Sequence, residues 1–179
     1  FRPPPSCDAD AVVNLGGIGQ YQGTTAGATV ESDAGCAETG ASPEVAHSLV
    51  FDENRTICVI TRGSGFDTVA YMRSNCGDEA TEVVCSNDIA EGRNANSAFT
   101  VNVRAGLEYF VFVDGPQRGD YQLTVTRGPC PECHGDAECD GGRECVEGRC
   151  MAGPTVGQVI VSEFLYQPTL NEAEAEWLE

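Results

Sequence analysis

Ten cysteines, two histidines and several Asp- and Asn-rich loops carry whatever chemistry this 179-residue chain can perform. An even cysteine count suits a disulfide framework in an oxidising compartment, because cytosolic thiols stay reduced and cluster chiefly around metals. Ordered by spacing, the pairs read Cys7–Cys130 across the ends of the main domain, Cys76–Cys85 around a short acidic loop, and Cys36–Cys58 from what remains. Further on, Cys133–Cys145 and Cys139–Cys150 make an interleaved pattern. Spacing orders these pairings without fixing them. Zinc is the competing chemistry, since Cys130-x2-Cys133 with His134 and Cys139 offers ligand-type residues. A structural zinc tetrahedron uses a second closely spaced pair, which Cys145 and Cys150 do not form.

Catalysis fails on inventory. His47 falls in an alternating apolar run and His134 among the cysteines. A serine triad requires a positioned histidine and an acid. Ser64, between Gly63 and Gly65, lacks the wider Gly-x-Ser-x-Gly elbow. No phosphate-binding loop or dinucleotide fingerprint occurs. Carboxylate pairs of the glycosidase kind arise by chance on any acidic surface. The expectation is a chain without an active site of its own.

The elements that must position these residues are strands. Val45, His47, Leu49 and Phe51 alternate with their neighbours, and Thr56 to Thr61 is rich in β-branched residues. Strand-like runs follow at Asp67–Arg73, Glu82–Ser86, Ala98–Arg104, Leu107–Asp114 and Tyr121–Thr126, separated by Gly, Asn, Asp and Ser clusters. Phe99, Val101 and Val103 share one apolar face; Tyr121, Leu123 and Val125 share another. Many short strands with regular turns imply an all-β jelly-roll sandwich. Alternation assigns Tyr71, Tyr109, Phe110, Phe112 and Tyr121 mostly to core packing rather than to a sugar-binding platform.

The sandwich is expected over 7–129, after a Pro-rich linker at 1–6. Residues 130–152 carry five cysteines and little that can be buried, so covalent staples must hold that small module. Residues 153–179 read as a linker followed by an orphan strand over Gln158–Tyr166, with Val159, Val161 and Phe164 as its buried side chains. Both ends are abrupt, as in an excerpt from a longer protein.

Ten Lys and Arg face 28 Asp and Glu, a net charge of −18. Such a surface repels phosphate backbones and anionic lipids, which excludes nucleic acid as a partner. No apolar run approaches the ~20 residues of a membrane-spanning helix. Solubility, cation binding and a basic partner each account for the charge.

The stretch from about Cys7 to Arg127 resembles the bacterial pre-peptidase C-terminal domain, a jelly-roll module appended to many secreted peptidases. The residues carrying the resemblance run Gly65-Phe66-Asp67-Thr68-Val69-Ala70-Tyr71-Met72-Arg73, then Cys85-Ser86-Asn87-Asp88, Val103 to Gly115, and Gly119-Asp120-Tyr121-Gln122-Leu123-Thr124-Val125. Cys133 to Cys150 is similar to small cysteine-rich repeats between domains of bacterial surface proteins. Val159 to Pro168, with Glu176-Trp177-Leu178-Glu179, resembles the opening of a lamin-tail domain.

The first resemblance implies calcium in some members, held by loop carboxylates. In this sequence Asp67, Asn87 and Asp88 stand at the matching strand ends, with Glu91 and Asn94 in the next loop. Calcium takes six to eight oxygens, which such a loop can supply. Turn chemistry is the alternative, because Asp and Asn cap turns through their own backbone without metal. Asp8 with Asp10, and Asp136 with Asp140, read as solvated or turn-forming pairs. The expected function is a non-catalytic, secreted or cell-surface bacterial module for adhesion or spacing. Its expected partners are a protein or polysaccharide at the cell exterior, or another copy through strand addition. An accessory domain of a secreted hydrolase is the alternative.

Overall fold

Nine short strands build two facing sheets. The structure is a computed structural model in which residues 7–30, 34–37, 40, 42–90, 92 and 94–153 are described. The linker 1–6, Glu91 and the strand expected over 158–166 lie outside those residues. In chain order the strands are β1 (Val13–Asn14), β2 (Gly19–Thr24), β3 (Val45–Val50), β4 (Arg55–Ile60), β5 (Val69–Arg73), β6 (Glu82–Ser86), β7 (Ala98–Val103), β8 (Glu108–Asp114) and β9 (Asp120–Arg127). One sheet runs β1-β3-β8-β5-β6 and the other β2-β9-β4-β7. Strands β2 to β9 follow jelly-roll order, passing from sheet to sheet except at the β5–β6 hairpin, and the two-residue β1 adds parallel to β3.

Period-two alternation puts one face of each strand into the space between the sheets. Leu49, Ala70, Met72, Val111 and Val113 meet Ile57, Val59, Phe99, Val103, Leu123 and Val125 there. Each fully buried aliphatic contributes roughly 1.5–3 kcal/mol. Strand β2, Gly-Gln-Tyr-Gln-Gly-Thr, escapes a reading based on β-branched residues. It is an edge strand held by pairing with β9, and Tyr21 is its one side chain packed on the core.

The outer face of the five-stranded sheet is buried as well, which alternation does not reveal. All five residues of β5 are buried. Val69, Tyr71, Phe112 and Ala46 form a second cluster under Cys7, Val12, Ala34, Cys36 and Ala37 from the covering segments. Tyr71 and Phe112 stack with centroids 4.5 Å apart. The Arg73 guanidinium lies 4.8 and 5.0 Å from their ring centres. Such cation–π contacts strengthen once water is excluded. The Tyr71 hydroxyl donates to the Glu44 carboxylate beside them.

This second layer decides the disulfides and corrects three pairings read from spacing. Cys7 bonds Cys76 and Cys36 bonds Cys85, each tying a covering segment to the β5–β6 region. Cys76 and Cys85 do not close a local loop because each takes a partner from that cover. Cys58 bonds Cys130, replacing the expected Cys36–Cys58 and Cys7–Cys130. Strand β4 lies beside β9, so the chain leaving Arg127 needs only to cross one strand to bring Cys130 over Cys58. Cys36 sits against the outer face of the opposite sheet, out of reach of Cys58. In the small module the pairs are Cys133–Cys145 and Cys139–Cys150, the interleaved arrangement.

That module contains a hairpin of β10 (Glu144–Val146) and β11 (Arg149–Met151). Its two-residue turn places Glu147 at φ 49° and Gly148 at φ 80°. Positive φ at both positions is the requirement of a type I′ hairpin turn.

Candidate functional site

A polar junction joins the sandwich to the cysteine-rich module. It begins with Cys130, whose amide donates to Thr100 Oγ1 at 2.8 Å while its sulfur is bonded to Cys58. From there the chain folds back so that Glu138, at the end of a short 3-10 turn over Asp136–Glu138, reaches the loop after β4. The Arg62 guanidinium grips the Glu138 carboxylate with both terminal nitrogens, Nη2 at 2.9 Å from Oε2 and Nη1 closer still to Oε1. Asn94 Nδ2 donates to Oε1 at 2.9 Å, and the His134 amide donates to Oε2 at 2.9 Å. Four donors converge on one carboxylate. The Arg62 hydrogen bonds above all, with those from Asn94 and His134, hold its pKa down at about 2. Bidentate, charge-assisted pairs of this kind fix orientation as well as energy. A cleft of about 610 Å³ opens beside the junction, lined by Ile89, Ala90, Glu132, Glu138, Asp140 and Arg143.

Asn94 is thereby committed to the junction, and its Oδ1 accepts from the Asn96 amide at 3.1 Å. Of the other proposed calcium residues, Asn87 meets Ser97 through its backbone carbonyl. Ser97 Oγ lies 2.9 Å from the Asn87 carbonyl and within hydrogen-bonding reach of the Thr68 carbonyl. Ser97 thereby links Asn87 to Thr68, the residue after Asp67, and Asp67, Asn87 and Asp88 are all half-buried. Thr61 and Thr68 complete the knot with a 2.6 Å hydroxyl–hydroxyl bond. Among the described residues no three carboxylates bring their oxygens within 4.8 Å of one another. Glu91 lies outside those residues. The sulfurs of Cys133, Cys139 and Cys150 do gather within that distance, but both disulfides are formed and leave no thiolate for zinc.

The Asp8 carbonyl accepts from the Ala11 and Val12 amides, and Asp136 Oδ1 accepts from the Cys145 amide at 2.8 Å.

His47 is buried between the sheets. Its Nε2 lies 2.8 Å from the Tyr121 hydroxyl and its Nδ1 3.1 Å from the Val111 carbonyl. A carbonyl only accepts, so Nδ1 carries the proton and Nε2 accepts from the tyrosine. Burial lowers the His47 pKa to about 4, against smaller opposing contributions from the Val111 and Val45 backbone, and raises that of Tyr121 to about 12. Gly23 makes room for this pair, because a Cβ there would collide with the Tyr121 hydroxyl. The alternation of β3 and β9 already points both side chains inward, so this pair was accessible to sequence reasoning. The Arg62–Glu138 junction was not, since nothing in the spacing of residues 76 apart signals it.

Tyr71, Tyr109, Phe112 and Tyr121 are all buried and Phe110 is half-buried. They supply core rather than a sugar-binding platform. A second cleft of about 580 Å³ lies on the polar face of the four-stranded sheet, lined by Gln22, Thr24, Gly63, Gly65, Asp120 and Gln122.

No family model matches this chain, and no curated protein matches it. Solved structures with a similar outline include the pre-peptidase C-terminal domain of a Bacillus anthracis collagenase, at 14% identity and a TM-score of 0.38, covering 64% of this chain and 94% of that one. A periplasmic inhibitor of g-type lysozyme from Aeromonas hydrophila (PliG) aligns at 11% identity and a TM-score of 0.43, over 66% of this chain and 96% of that one. Five disulfides with no free cysteine place this chain in an oxidising compartment outside the cytoplasm. No helix among the described residues is long and apolar enough to cross a membrane.

Proposed function

We propose that this chain is a non-catalytic structural and binding module of a larger periplasmic, secreted or surface protein. In this reading the sandwich and the cysteine-rich module act as one rigid unit. The observation that carries it is the junction, where the Cys58–Cys130 bond and the four-donor cradle of Glu138 fix the small module on the sandwich. A segment with only two buried residues between 130 and 150, both of them cysteines, has no other means of holding an orientation. The role is to hold whatever precedes and follows at a set distance and angle, while the loops around Ser97 face an external partner. Nuclear magnetic relaxation of the full oxidised chain tests it. Residues 130–151 should share the rotational correlation time of the sandwich. Independent, faster tumbling of that segment would remove the rigid-unit reading.

A further inference from the structure

The five disulfides also define how tension would pass through the molecule, an inference that rests on the structural-module reading. A chain held at its two ends transmits force along its shortest covalent route. From Cys7 that route crosses to Cys76, runs back to Cys58, crosses to Cys130, continues to Cys133, crosses to Cys145 and ends at Cys150. It contains roughly 26 peptide links instead of the roughly 143 that separate Cys7 from Cys150 along the backbone, about 95 Å against about 515 Å at full extension. The strained backbone is essentially one segment, Cys58 to Cys76.

That segment runs through the interior of both sheets. It takes in the end of β4 and all of β5, each flanked by two hydrogen-bonded neighbours in its own sheet. Val59, Thr61, Thr68, Ala70, Tyr71 and Met72 are completely buried along it. Strands β1, β2, β3, β6, β7, β8 and β9 lie outside the route. We propose that this chain is a tension-bearing link whose disulfide topology limits how far its ends can be drawn apart, because seven of the nine sandwich strands lie off the loaded route. The force would come from whatever holds the two ends of the chain in a cell-surface or periplasmic assembly.

Single-molecule pulling on the full oxidised chain, with handles at both termini, tests this by length. Between residues 7 and 150 the wild type should extend to no more than about 110 Å, counting three disulfide spans, and gain about 400 Å on complete reduction. The double substitution Cys58→Ser with Cys130→Ser should lengthen the oxidised route by roughly 36 links, about 130 Å, since force must then follow the backbone from Cys76 to Cys133. Cys36→Ser with Cys85→Ser should leave the length unchanged, because that bond is off the route. This off-route pair keeps the test decisive if the first variant folds poorly. An oxidised wild-type length near 40 Å, as a Cys7–Cys130 bond would give, overturns the proposal. So does a length gain from removing Cys36–Cys85. Independent tumbling of residues 130–151 would remove the rigid module yet leave this length ladder intact, so the two ideas fail separately.

Discussion

Acidification should weaken this fold before its carboxylates titrate, and His47 is the reason. The imidazole is neutral in the native state, with a pKa of about 4 against 6.5 in the unfolded chain. The unfolded state therefore binds the extra proton across that interval, and stability must fall as pH drops. The contribution is complete above pH 6.5 and is lost progressively down to pH 4. The two pKa values give a loss of about 2 kcal/mol at pH 5 and about 3 kcal/mol below pH 4. Denaturant unfolding of the oxidised chain at pH 7.5, 6 and 5 measures this directly. His47→Gln retains a polar group at the site and does not titrate. The wild type should lose about 2 kcal/mol more than this variant between pH 7.5 and 5. Equal pH dependence in the two proteins would refute the argument, whatever their absolute stabilities.

Glu138→Gln removes the charge from the junction and should cost roughly 1–3 kcal/mol of docking, read as faster amide exchange across residues 130–151. The depressed pKa of Glu138 makes its contribution present above pH 4.5 and lost as pH falls toward 2, so the same exchange should accelerate in that window in the wild type. Gly23→Ala forces Tyr121 off His47 and should destabilise by about 1–3 kcal/mol, measured as a lower Tm. Cys58→Ser with Cys130→Ser opens a loop of 72 residues and should cost about 4 kcal/mol in the chain-entropy account, measured by denaturant unfolding. Calcium held by Asp67 and the Asn87–Asp88 turn predicts a higher Tm in excess calcium than in chelator, lost in Asp67→Ala. Equal midpoints would leave these residues to turn chemistry.

The sandwich was legible because its inner face obeys a local rule. Leu49, Val111 and Leu123 announce their strands through alternation, and strand β6 falls on Glu82–Ser86 as the residues suggest. Strand β2 was hidden because Gln20, Gln22 and Gly23 carry no β preference, and its pairing with β9 supplies the order. The outer layer was hidden for a different reason. Tyr71 and Phe112 were expected in the core, but they lie on the outer face of their sheet with Arg73, where a distant segment with irregular structure covers them. That cover also redirects Cys7 and Cys36, so the pairings depend on a contact between layers that spacing along the chain does not encode. Cys133–Cys145 and Cys139–Cys150 form a closed local system of short loops, where spacing carries more information. The Arg62–Glu138 junction joins two loops, and loops advertise their composition but not their neighbours.

The covalent bond between Cys58 and Cys130 underlies both the rigid junction and the tension route, and it can be observed directly. Mass spectrometry of an unreduced digest, alkylated at low pH to block exchange, should recover Cys58 linked to Cys130, Cys7 to Cys76 and Cys36 to Cys85. Recovery of Cys7 linked to Cys130, or of Cys58 as a free thiol, would contradict the account.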